Sequence, residues 1–144
     1  VLKTCSKALG LAGIRLGFAV AGPVLTTALT AVKSPYNVNA MTQRVGAVLL
    51  AEKTLCDGAQ KAIRQSRDRL YESLKNLLAG KEDIQKIYPT GANFVFIKTE
   101  KAEKIFETLK KEGIIIRKMG GYLRITAGND TENNALIKAL ERAV

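Results

Sequence analysis

The sequence contains no histidine and no tryptophan, and its 144 residues include only two cysteines and three prolines. Without an imidazole there can be no Ser-His or Cys-His nucleophile pair, and two isolated thiols, Cys5 and Cys56, argue against a zinc site. Two cysteines also fall short of a disulfide scaffold and suit a reducing, cytoplasmic compartment. Apolar runs are short and interrupted by Gly, Arg or Lys, so none has the length of a membrane helix. The residues present lack the basic–apolar–small pattern of a secretory signal. Low-complexity tracts, Pro- or Ser-rich stretches and internal repeats are missing as well, which argues against disorder.

What is there is 47% hydrophobic residues, enough to bury a core, and a net charge of +10. Such a charge would suit nucleic acid. The Lys and Arg residues are, however, spread along helix-like stretches and interleaved with Glu and Asp, without an RNP-like, zinc-finger or helix-turn-helix signature. They read as solvated surface, and neither a nucleic-acid nor a membrane partner is expected. A basic nucleic-acid-binding module remains the non-enzyme reading; it requires binding that weakens steeply with salt. A standalone regulatory or structural domain without chemistry is a further alternative.

Periodicity divides the chain. Val1 to Cys5 is a short extended run, Lys7 to Gly13 is turn-like, and Ile14 to Val20 reads as a buried strand that is apolar except for Arg15. Gly22-Pro23 ends it, and a short helix is expected over Val24 to Val32. "KSPYNVNA" is a loop, with Asn39 as N-cap of a helix reaching Cys56. Asp57-Gly58 separates that helix from a second, which runs to about Ala79 with Ile63, Leu70, Leu74, Leu77 and Leu78 on one face, closed by Gly80. Beyond it, Ile84 to Ile87 and Asn93 to Lys98 read as strands. Lys101 to Glu112 is an amphipathic helix stopped by Gly113. Strands Ile114 to Arg117 and Tyr122 to Ala127 are joined across "KMGG". A last helix runs from Thr131 to Ala143, capped by Asp130. The expected architecture is α/β, with residues 1–57 the apolar, glycine-rich tail of a large domain and 58–144 a small α+β unit in which an antiparallel or mixed sheet packs with helices.

Lys7 and Arg15 stand out. A lysine among apolar residues loses solvation, so its amine becomes a better nucleophile; a lysine in a surface loop is the alternative. An arginine in mid-strand must find an anion, because an unpaired buried charge is costly. With the Ser6 hydroxyl it could hold a phosphate whose attached ring reaches Lys7, or it could pair with an internal carboxylate.

"TCSKALGLAGIRLGFAVA" resembles the coenzyme-lysine segment of pyridoxal-phosphate aminotransferases of fold type I. "SPYNVN" (34–39) and "YLRITAG" (122–128) narrow the resemblance to the histidinol-phosphate aminotransferase family. In that family the lysine bonds the coenzyme's aldehyde carbon, and a serine and an arginine hold its phosphate; the matching residues are Lys7, Ser6 and Arg15. Thr4 is a further hydroxyl near that phosphate.

Arg117 and Arg124 form a second constellation. If Lys118 to Gly121 is a hairpin loop, Arg117 lies opposite Tyr122 and Ile115 opposite Arg124. Both arginines then share a face as diagonal neighbours, with Ile114, Ile116, Leu123 and Ile125 on the core face. Two solvated strand arginines would look the same. The resemblance implies a substrate clamp: Arg124 on a carboxylate, joined by Arg117 where the substrate carries a phosphate.

The resemblance therefore implies a homodimeric enzyme that uses pyridoxal 5′-phosphate and no metal. It would transaminate L-histidinol phosphate with 2-oxoglutarate to imidazole-acetol phosphate and glutamate, in histidine biosynthesis. A related aminotransferase for aromatic or other amino acids, or a pyridoxal-phosphate decarboxylase, is the alternative within the enzyme class. The family's ring-nitrogen aspartate, its ring-stacking aromatic and its glycine-led phosphate helix lie upstream of the lysine. The chain, which begins at Val1, is thus expected to be a C-terminal portion, inactive alone, with uncovered apolar surface near residues 1–55.

Overall fold

The computed structural model describes residues 1–144, which form two compact units, Val1–Lys61 and Ala62–Val144. In the first unit, β1 (Leu2–Thr4) and β2 (Gly17–Ala19) pair as an antiparallel hairpin in the register Lys3↔Phe18. Between them lies a long loop containing a 3₁₀ turn at Ala12–Ile14. Helices α1 (Pro23–Val32) and α2 (Ala40–Ala51) follow, the first begun by a proline at a position where no amide is needed. Asn39 caps α2 as its sequence position implies, its side chain accepting from the Thr42 amide at 2.9 Å.

Two expectations fail here. Residues 14–20 are not one buried strand: Arg15 sits in a left-handed turn, and β2 starts only at Gly17 and is exposed throughout. A two-stranded hairpin has no second layer to bury it. The helical break also falls at Glu52, not at Asp57-Gly58, which lie inside α3 (Lys53–Leu77). A glycine inside a helix costs only about 1 kcal/mol, which the rest of a 25-residue helix readily absorbs. The large apolar side chains of residues 1–55 are mostly exposed, among them Val24, Leu25, Met41 and Leu55.

The second unit holds the remaining strands in one antiparallel sheet. In chain order these are β3 (Ile84–Tyr88), β4 (Phe94–Thr99), β5 (Arg117–Met119) and β6 (Tyr122–Thr126), arranged β3-β4-β6-β5. Alternation sends Val95, Ile97, Leu123 and Ile125 to one face. There they are buried with Leu70 and Leu74 of α3, Ile105 and Leu109 of α4 (Ala102–Lys111), and Leu136 and Leu140 of α5 (Asp130–Ala143). All three helices thus cover one face of the sheet and leave the other open.

Details of two boundaries differ from the sequence reading. Asn129, not Asp130, caps α5: its side chain accepts from the Glu132 amide while the Glu132 carboxylate accepts from the Asn129 amide. Asp130 is the first helical residue and pairs with Arg69. The β5–β6 connection is a two-residue turn, so Arg117 lies directly opposite Arg124 and Met119 opposite Tyr122. Gly120 makes this possible with φ +60°, where a side chain would be strained. The register is two residues from the expected one, which preserves the faces because the strand period is two. Ile114 to Ile116 lie before the strand rather than in it. Ile115 is 73% exposed, and its neighbours are half-buried rather than core.

Leu74→Ala should destabilise the second unit by about 2–5 kcal/mol, because Leu74 is fully buried. Val24→Ala, at an 87% exposed site, should change stability by less than about 0.5 kcal/mol. Urea denaturation of the 144-residue chain checks both; equal effects would contradict the placement of the core.

Candidate active site

The β1–β2 hairpin extends beyond its strands. The Cys5 amide donates to Leu16 O at 3.0 Å, the Leu11 amide to Cys5 O at 2.9 Å, and the Gly10 amide to Lys7 O at 2.9 Å. Beyond the Cys5–Leu16 bond the chain leaves the ladder, and Ser6 and Arg15 are the first residues at the two ends of the intervening loop. The loop between them is held by these backbone bonds and by the left-handed Gly10. α2 packs against the base of this loop: Gly46 is buried, and a Cβ there would run into the Leu16 side chain.

Ser6 is locally organised. Its amide donates to Thr4 Oγ1 at 3.2 Å, and the two hydroxyl oxygens are 2.7 Å apart. When Thr4 donates across that pair, the Ser6 proton is free for an anion. Arg15 is the one non-glycine residue with positive φ, at +52°, and its Nη1 donates to Ala12 O at 3.1 Å. A bulky residue in this region costs on the order of 1–2 kcal/mol, a cost found most often at functional sites.

Lys7 and Arg15 are exposed and Ser6 is half-buried, so the apolar run does not enclose them as expected. Neither cation forms an ion pair within these 144 residues. A hydroxyl, a guanidinium and an amine on one loop, all unpaired with carboxylates, suit a phosphorylated aldehyde.

The second constellation lies on the helix-free face of the four-stranded sheet. Directly opposed residues have Cβ atoms about 4.5–5.5 Å apart, so Arg117 and Arg124 bring two positive charges together. Neither has a carboxylate partner. The Arg124 guanidinium lies over the Phe94 ring, Cζ 4.1 Å from its centroid, and Arg124 Nε is buried without a hydrogen-bond partner. Both arginines line a cavity of about 720 Å³ bounded also by Ile114, Thr126, Gly128 and Asn133.

Beside them, Tyr88, Phe96 and Tyr122 form an aromatic stripe across three strands, with Phe96 and Tyr122 stacked at 5.1 Å. Desolvation raises the Tyr88 phenol above its ordinary pKa, helped by the charge of a neighbouring Tyr122.

A polar cluster fixes the far end of β6. Asn133 Oδ1 accepts from the Gly128 amide at 2.9 Å, and its Nδ2 donates to Ser66 Oγ at 2.8 Å. Ser66 in turn donates to Gly128 O at 2.5 Å. Both side chains are buried.

The chain matches the family described as aminotransferase class I and II over residues 1–140. It belongs to that family. It is 41% identical to histidinol-phosphate aminotransferase 1 of Carboxydothermus hydrogenoformans, over 97% of this chain and 40% of the relative. The solved histidinol-phosphate aminotransferase of Clostridium acetobutylicum superposes with a TM-score of 0.85 at 22% identity, covering 98% of this chain and 44% of that one. L-threonine-O-3-phosphate decarboxylase of Porphyromonas gingivalis gives 0.80 at 22% identity, covering 98% and 45%. The chain thus spans about two-fifths of the length of the curated relatives it matches.

Within this aminotransferase-family chain, sequence reasoning missed Phe94, Ser66 and Asn133. A signal existed for the last two. Ser66 lies four residues before Leu70 and Asn133 three before Leu136, so both are polar residues on an apolar helical face. For Phe94 there was none, because its contact with Arg124 depends on the β4–β6 register. Asn93 is half-buried and accepts from the Ala127 amide through its backbone oxygen.

Asn133→Leu should cost about 1–3 kcal/mol by leaving Ser66 and the Gly128 amide short of partners. Adding Ser66→Ala should cost little more, since the two act as one network. Urea unfolding of the single and double variants of this chain checks this; strictly additive losses would contradict the network.

Proposed function

We propose that this chain is part of a longer enzyme that transaminates L-histidinol phosphate with 2-oxoglutarate, giving imidazole-acetol phosphate and glutamate. On this reading, residues 1–57 are the tail of its large coenzyme-binding domain and residues 58–144 its small domain. The 144 residues alone are inactive, and the complete protein is a cytoplasmic homodimer. The observation that carries the substrate is the Arg117–Arg124 pair. Opposed like charges without a carboxylate are unfavourable until a strongly anionic group sits between them, and two guanidinium forks suit a phosphate dianion.

Ser6 and Arg15 would hold the phosphate of pyridoxal 5′-phosphate, and Lys7 its aldehyde carbon. When bound, the coenzyme supplies an electron sink for the pair left on the substrate's α-carbon as it loses a proton. The neutral Lys7 amine is the general base that takes this proton. Arg117 and Arg124 grip the tail of either substrate, phosphate ester or carboxylate, and so orient the α-carbon without touching it. A pyridoxal-phosphate decarboxylase is the second reading, favoured by the fold match to an enzyme whose named substrate also carries a phosphate. Release of carbon dioxide separates the two.

Borohydride reduction of the full-length protein followed by peptide mapping should put the pyridoxyl group on Lys7; an adduct at another lysine would overturn the assignment. Lys7→Ala should lower kcat by about 10²–10⁴-fold or more. Arg124→Leu should raise KM for histidinol phosphate about 10- to 100-fold, the worth of a charge-assisted hydrogen bond. An unchanged KM would remove the arginine clamp.

A further inference from the structure

The two arginines of the clamp are not held alike. Arg117 is exposed on an edge strand, whereas Arg124 is half-buried on β6 and flanked on β4 by two aromatic rings. Phe96 is its direct register partner, and Phe94, opposite Thr126, is its diagonal neighbour on the same face. The guanidinium nonetheless lies over Phe94. The reason is visible in the stripe. Phe96 is stacked on Tyr122, the two planes within 10°, so its ring is already engaged. Phe94 stacks on no other aromatic ring, and the arginine that covers it lines the cavity together with Thr126 and Gly128.

From this geometry we propose that Phe94 is a positioning residue for the anion-binding Arg124. The inference rests on the reading of Arg117 and Arg124 as a substrate clamp. A ring face attracts a guanidinium through its quadrupole and restricts it to a parallel plane. Phe94 therefore fixes which way the fork of Arg124 points. It does so without neutralising charge, as a carboxylate would. Arg124 Nε has no hydrogen-bond partner and is closed to solvent, so an entering anion meets the Nη side of the fork. The Phe96–Tyr122 stack acts as the stop that keeps Arg124 from leaning the other way.

In the full-length enzyme, Phe94→Leu removes the flat ring but keeps an apolar side chain, and Phe94→Tyr restores the ring. Steady-state kinetics would compare histidinol phosphate with the same amino alcohol lacking the phosphate. For Phe94→Leu, KM for the phosphorylated substrate should rise about 3- to 30-fold, the range of a partly desolvated cation–π contact. The loss should fall in KM rather than kcat and should spare the unphosphorylated compound, and Phe94→Tyr should recover the native value. Phe94→Met provides the same comparison if the leucine variant does not fold. A rise below twofold, or an equal rise for both compounds, overturns the inference. Arg124→Leu separates the failures. If it abolishes the preference for phosphate while Phe94→Leu leaves it intact, only the role of Phe94 is wrong. If neither changes the preference, the clamp itself is wrong.

Discussion

The open face of the second unit is a consequence of its covered one. Three helices bury Val95, Ile97, Leu123 and Ile125 against a single side of the sheet. Strand alternation then obliges every intervening side chain to point away from those helices. On β4, β5 and β6 the intervening residues include Phe94, Phe96, Tyr122, Arg124 and Arg117. A hydrophobic layer that is indifferent to function thereby gathers rings and positive charges on the opposite surface. The two-residue turn at Gly120-Gly121 completes the arrangement by setting the arginines directly across from one another.

Cations on this chain fall into two groups. Lys101, Lys118, Arg69 and Arg142 are matched with Asp83, Glu103, Asp130 and Glu112, mostly at exposed positions where such pairs contribute little. Lys7, Arg15, Arg117 and Arg124 are matched with nothing. Ion pairs engage only six of the 23 Lys and Arg residues, so what sets these four apart is their grouping in two local clusters, not the lack of a partner. Part of the positive excess stands at these two sites, and much of the rest is dispersed along helix surfaces.

The first unit differs in how it is stabilised. Its hairpin and short helices bury little more than Cys5 and Gly46, while large apolar side chains along α1 and α2 face outward. Local hydrogen bonds, not a core, hold the Lys7 loop in shape. The left-handed Arg15 is the clearest case, since its strained backbone is kept by a 3₁₀ turn and by bonds through Cys5, Leu11 and Leu16.

Sequence by itself determined most of the helices and the inward faces of α3, α4 and α5, because their apolar spacing is a local property. It determined the strands' alternation too, and so the shared face of Arg117 and Arg124. The Ser-Lys pair and the distant arginine could be recognised as a motif. Tertiary structure alone decided the rest. It withdrew Arg15 from its expected strand, moved the helix break to Glu52, and shifted the hairpin register by two residues. It also brought Phe94 under Arg124, and Ser66 to Asn133 across 67 residues of chain. Those outcomes depend on which strands become neighbours and on which carbonyl an amide finds, and such pairings between distant residues leave no periodic trace in the chain.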